Sequence, residues 1–156
     1  MLTANIAYAT ITGNNEEIAD DLCDCLRRRG VKVSESEIAT ISLQAFQQAD
    51  ILAVCVYTYD RGALPDESLA FFNDLKQANL SGKTFGVAGS GDKGYGKYYN
   101  LAVDQFTAAF ARTGARLGAP SLKIDLEPDD EDIEMIDQFA ASLIKTANGK
   151  GTDLVN

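Results

Sequence analysis

The 156-residue sequence contains no histidine. That absence removes Ser–His and Cys–His nucleophilic units, and histidine-ligated zinc with them. Cysteine is scarce, at three residues. Cys23 and Cys25 lie two apart in a helical pattern, so their side chains point about 200° apart, poorly placed for a disulfide or a shared metal. Cys55 falls in an apolar run. All three read as reduced packing residues. Basic charge is also short: 14 lysines and arginines face 23 acids, for a formal net charge of −9. A surface of that sign argues against nucleic acid and against anionic membranes as partners. It suits steering toward a basic protein, although solubility alone would also account for it. No apolar run approaches the length of a membrane span. The opening "MLTANIAYAT" lacks the basic and apolar regions of a secretory signal and reads as a strand, so a cytoplasmic setting is expected.

What is present is an alternation of strand and helix. Hydrophobic residues make up 46% of the chain, enough for a buried core. "ANIAYA" (4–9) is a short apolar strand. Residues 15–29 place Ile18, Ala19, Leu22, Cys23 and Leu26 at helical spacing, with Asn14 or Asn15 as the expected cap, Arg27–Arg29 in the last turn and Gly30 after it. "VKVSE" (31–35) alternates as a half-exposed strand, and 42–48 suits a short helix. "DILAVCVYT" (50–58) is continuously apolar, as a central parallel strand must be. Helices are expected over 64–80, 97–113 and 128–148, the last with Ile133, Ile136, Phe139, Ala140 and Leu143 facing inward. Strands are expected over 83–91 and 115–124. With no repeat and no linker, one domain is expected over 1–148, and 149–156 reads as a flexible tail. Five strands alternating with five helices give an α/β fold, a three-layer α/β/α sandwich around a five-stranded parallel sheet.

In such sheets ligands bind beyond the C-terminal strand ends, where the strand order reverses. Three unusual loops follow strand ends. The first, "ATITGNNEE", lies between strand and helix and holds hydroxyls, amides and a glycine but no lysine or arginine. Backbone N–H groups at a helix N-terminus attract an anion, and Thr10 and Thr12 can add donors. A Walker loop would need a lysine and a dinucleotide loop three glycines. On these residues alone a bound phosphomonoester and an ordinary capped turn stand level. The second loop is "YTYDRGALPDE" (57–67) and the third is "GSGDKGYGKYY" (89–99).

These three loops, in this order, resemble those of the flavodoxins, carriers of non-covalent FMN, whose pattern is T/S-x-T-G-x-T, then T-W/Y-G-D-G-x-x-P-D, then G-x-G-D-x-x-Y. The resemblance spans roughly 3–147, and no long insertion interrupts the last strand, so the short-chain type is implied. It implies sheet order 2-1-3-4-5. It implies that Thr10, Ile11, Thr12, Gly13, Asn14 and Asn15 hold the FMN phosphate with help from Thr58. Tyr59 and Tyr95 would enclose the isoalloxazine ring, with Asp60, Arg61 and Gly62 beside it, and Gly89, Ser90, Gly91 and Asp92 would meet its pyrimidine edge. Asn15 departs from the family threonine. Asp60 stands where the family has a glycine, at a peptide that turns over when the flavin gains an electron and a proton at N5, and Arg61 stands where an acid is usual. Both departures are expected to shift the redox behaviour.

The resemblance implies a low-potential electron carrier, not an enzyme. Its partners would be redox proteins with basic docking surfaces, met as a monomer through acids such as Asp60, Asp66, Glu67, Asp92 and Asp129 around the flavin edge. An FMN-dependent quinone or flavin reductase is the alternative, but tyrosines on both ring faces leave little room for a second substrate. A response-regulator receiver shares the topology and lacks support, because it needs an acidic pair after the first strand.

Overall fold

The computed structural model describes residues 1–10, 13–58 and 62–149, and at Tyr95 the backbone alone. The elements run β1 (Thr3–Tyr8), α1 (Asn14–Arg28), β2 (Lys32–Glu37), α2 (Leu43–Phe46), β3 (Ile51–Cys55), α3 (Leu69–Leu75), β4 (Thr84–Gly91), α4 (Leu101–Ala111), β5 (Arg116–Leu117), β6 (Leu122–Asp125) and α5 (Asp130–Ala147). All strand pairs are parallel, in the order β2-β1-β3-β4-β5, with β6 also on β4. The expected order therefore holds. The expected fifth strand arrives in two pieces, because Gly118 to Pro120 leave the ladder: the Gly118 N–H still reaches the Phe85 carbonyl at 2.8 Å, and proline at 120 has no N–H to continue the pairing.

Burial follows strand position. Every residue of β3 is buried, as a strand covered on both faces requires, while β2 at the edge buries Val33 and exposes Lys32. Two apolar layers result. One packs Ile18, Leu22 and Leu26 of α1 and Ile136, Phe139 and Leu143 of α5 against the sheet. The other packs Phe46, Phe71, Leu75, Phe106 and Phe110 against the opposite face. That second layer holds the aromatic pairs, including Phe85 and Phe110 stacked at 4.8 Å. The three cysteines are free and buried, as the sequence implied.

Several helix boundaries differ from expectation. The cap of α1 is Gly13, not an asparagine, because a φ of 94° turns the chain into the helix there. The expected helix over 64–80 shortens to α3 behind a 3-10 turn at Asp66–Ser68. The expected helix over 97–113 begins only at Leu101, after a 3-10 segment Lys93–Tyr98 broken at Gly96. Ile133 stands 41% exposed on α5, so it does not face the core. α5 itself opens with a reciprocal capping box between Asp129 and Asp132. No helix among the described residues is long and apolar enough to cross a membrane.

Candidate functional site

The strand order reverses between β1 and β3, since β2 lies on one side of β1 and β3 on the other. The crevice expected at such a switch point opens at the C-terminal ends of β1, β3 and β4. All three singled-out loops arrive there. Of their residues, Ile11, Thr12, Tyr59, Asp60 and Arg61 lie outside the described residues, as does the side chain of Tyr95.

The first loop ends in an uncovered helix start. Among the described residues, no side chain caps α1. Its ladder begins with the Glu17 N–H on the Gly13 carbonyl at 2.9 Å, so the N–H groups of Asn14, Asn15 and Glu16 have no partner within the helix. Among the described residues, a Cβ at Gly13 would meet nothing within 4 Å. The Thr10 hydroxyl accepts from the Gly13 N–H at 2.9 Å and keeps its own proton to donate. Glu16 opposes an anion here, but the Tyr8 hydroxyl holds its carboxylate at 3.0 Å. Burial, then that bond to Glu16, pushes the Tyr8 phenol up to about 12, so it stays a donor. Further along the same α1–β2 seam, burial and then a hydrogen bond with Asp20 push the Glu35 carboxyl up to about 8.

Asn15 directs its side-chain oxygen to the third loop. It is 2% exposed, and its Oδ1 accepts from the Ser90 N–H at 2.8 Å. In the second loop, the Thr58 hydroxyl accepts from the Ala102 N–H at 2.9 Å, capping α4 from another strand's end and leaving its proton to donate. Gly62 is buried at φ 86°, and a Cβ there would stand 2.6 Å from Leu101 and 2.9 Å from Tyr98. Its glycine is thus required by packing as well as by backbone.

The third loop is held from several sides. The Ser90 hydroxyl donates to the Leu126 carbonyl. The Leu126 N–H returns to the Gly91 carbonyl at 2.7 Å. The Lys93 N–H donates to Asp125 at 2.9 Å, and Asp92 caps its own turn by accepting from the Gly94 N–H at 2.8 Å. Beneath lies Asn100, wholly buried with φ 50°. Its Nδ2–H donates to the Ile124 carbonyl at 3.2 Å, while its Oδ1 has no partner. A Cβ at Gly91 would stand 2.8 Å from that Oδ1, and one at Gly89 would stand 2.3 Å from the Val56 carbonyl.

The crevice therefore offers neutral donors at one end: the α1 N–H groups, Thr10 and Thr58. At the other it offers backbone pinched close by Gly89 and Gly91. That set fits a phosphate joined to a flat ring system, as FMN is, and no His, Cys, Asp or Glu cluster of metal-binding form occurs among the described residues. Sequence reasoning missed Asn100 and the Asn15–Ser90 bridge. The available signal was an asparagine directly before the apolar run "LAV", a helix-start pattern.

Comparison with known proteins agrees. The family model Flavodoxin matches residues 6–138. Probable flavodoxin 1 of Bacillus subtilis (strain 168) is 34% identical over 149 residues, covering 95% of this chain and 94% of that protein. Among solved structures, a short-chain flavodoxin associated with a non-canonical PDU bacterial microcompartment is 56% identical, with a TM-score of 0.93 over 94% of this chain and 99% of that one. The flavodoxin of Streptococcus pneumonia TIGR4 is 45% identical, with a TM-score of 0.89 over 92% and 99%. With its loops, its strand order and these relatives in agreement over nearly the whole chain, the protein belongs to the flavodoxin family of FMN-bound electron carriers.

Proposed function

We propose that FMN lies across the three loops with its phosphate on the first turn of α1. The N–H groups of Asn14, Asn15 and Glu16 supply the donors, with Thr10, Ile11, Thr12 and Gly13 around them and the Thr58 hydroxyl from the loop after β3. The observation that carries this reading is the uncapped start of α1, reached through a positive-φ glycine with open space beside it. Bound FMN supplies the redox chemistry, taking up and releasing electrons one at a time. The chain's part is to bind, orient and shield. Tyr59 and Tyr95 cover the ring faces, each stacking contact contributing about 0.5–1.5 kcal/mol beyond burial. Asp60, Arg61 and Gly62 line one side of the ring. Ser90, Gly91 and Asp92 present backbone to its pyrimidine edge. The loss of FMN over riboflavin preference in Thr12→Ala, read by fluorescence titration, tests the phosphate assignment. Equal affinities of the unaltered chain for the two flavins would refute it.

The partner surface is the rim around the crevice, where Asp66, Glu67, Asp92 and Asp129 are all exposed. A basic docking face on a reductase or oxidoreductase complements these acids. Transfer to such a protein by a monomeric carrier should slow as salt rises, because exposed charges are screened beyond about 8 Å at physiological ionic strength. A flat salt profile would assign the −9 charge to solubility. The relative associated with a microcompartment suggests the same setting for this chain, and co-purification with shell particles tests that. The family assignment gives the quinone- or flavin-reductase alternative no support.

A further inference from the structure

Resting on that placement of FMN, we propose that the Asn15 side chain is a positioning residue of the ring subsite, not a ligand of the phosphate. The position is one where this chain departs from the family's T-G-x-T pattern, and the structure shows what the asparagine does instead. Asn15 is buried, at 2% exposed. Its Oδ1 accepts from the Ser90 N–H at 2.8 Å, across 75 residues of sequence. Ser90 is itself 4% exposed and begins the backbone run assigned to the pyrimidine edge. A threonine side chain is one atom shorter than the carboxamide reach used here.

A second buried carboxamide meets the same strand end from the opposite layer. Asn100 lies under Gly91 from the start of α4 and ties itself to β6 through the Ile124 carbonyl at 3.2 Å. The end of β4 is thereby gripped between α1 and α4, with Gly89 and Gly91 leaving room for the grip. Of the two contacts, only Asn15 takes up a backbone N–H of the loop itself. It fixes the direction of the 89–90 peptide, and so the placement of the carbonyl and N–H groups that follow it. Asn15 also belongs to α1, the helix that carries the phosphate. The two subsites are joined rigidly through one side chain.

The two roles make opposite predictions for an uncharged ligand. A phosphate ligand matters to FMN and not to riboflavin, whereas a ring-positioning residue matters equally to both. Asn15 is the second residue of α1, so alanine keeps the helix and removes the carboxamide with the oxygen that accepts from the Ser90 N–H. Affinities of the full-length chain for FMN and for riboflavin are measured by fluorescence titration. In Asn15→Ala both are expected to fall about three- to tenfold, the worth of one neutral hydrogen bond, with their ratio unchanged. The visible absorption band of bound FMN should change shape as well, which a loss of stability alone would not cause. In Asn15→Asp an oxygen still faces the Ser90 N–H, so riboflavin affinity should return to the unaltered value. A fall confined to FMN in Asn15→Ala, or no fall for either flavin, overturns the inference. Should Asn15→Ala not fold, Asn15→Thr, whose side chain is one atom shorter, decides instead: equal falls for the two flavins support the role, and a fall for FMN alone or for neither overturns it. If the unaltered chain shows no preference for FMN over riboflavin, it is the phosphate placement that fails instead.

Discussion

The first and third loops meet the same crevice but are held in different ways. The first is held by its own neighbourhood. Gly13 turns the chain, Thr10 accepts from the Gly13 N–H three residues on, and the helix follows at once. The third is held mainly by residues far away in sequence, Asn15, Asp125 and Leu126, with Asn100 beneath it. A loop fixed locally tolerates change in its surroundings and keeps its backbone groups free for a ligand. A loop fixed remotely is only as well placed as the elements that grip it. The first loop is thus autonomous, while the third reports on the packing of α1, α4 and β6.

Glycine substitutions should expose that difference most sharply. At Gly89 a methyl group would stand 2.3 Å from the Val56 carbonyl and 2.5 Å from Val103. The Val56 backbone, directly after β3 and tied to the Ala88 carbonyl through its own N–H, cannot easily step aside, so Gly89→Ala should cost about 3 kcal/mol in urea denaturation. At Gly13 a methyl group meets open space, and only the positive φ resists it. Gly13→Ala should therefore cost about 1–2 kcal/mol in the same experiment. Equal losses at the two positions would break the contrast. Next in size is Thr58→Val, which removes the hydroxyl that caps α4 at Ala102. It should cost about 1 kcal/mol, as lost helix caps do, with stability after Thr58→Ser close to unaltered.

The smallest effect concerns pH, and it belongs to the α1–β2 seam beside the first loop. Glu35 has an ordinary value of 4.5 that burial, then hydrogen bonding with Asp20, raises to about 8 in the folded chain. Between those values the folded state holds a proton that the unfolded state has lost, so stability falls as pH rises through that window. Glu35→Gln should flatten this fall and leave stability near pH 4 almost unchanged, as read from Tm at a series of pH values. An undiminished slope in Glu35→Gln would move the titration to another group.

This contrast also explains what could be read from the sequence. The alternation of patterns, the continuous apolar run at 50–58 and the glycine in the first loop are local facts, and each led to the right element or turn. Sheet order came with the family resemblance, since order follows from which strands pair and not from any one segment. The broken last strand was hidden because Ala, Leu and Ile on both sides of Pro120 keep an apolar pattern through the gap. The late start of α4 was hidden because Gly96 breaks the helix only through its backbone angles, φ 59° and ψ −119°. The bond from the Ser90 N–H to the Asn15 side chain was not legible, because the two residues are 75 apart and no spacing rule reaches that far.

The central claim is that the start of α1 holds the phosphate of FMN through neutral donors. Paired fluorescence titrations of the flavin-free chain with FMN and with riboflavin test it most directly. Two or more hydrogen bonds to a charged group, at about 1.5–3 kcal/mol each, predict that FMN binds at least about a hundredfold more tightly. Equal affinities for the two flavins would contradict the claim.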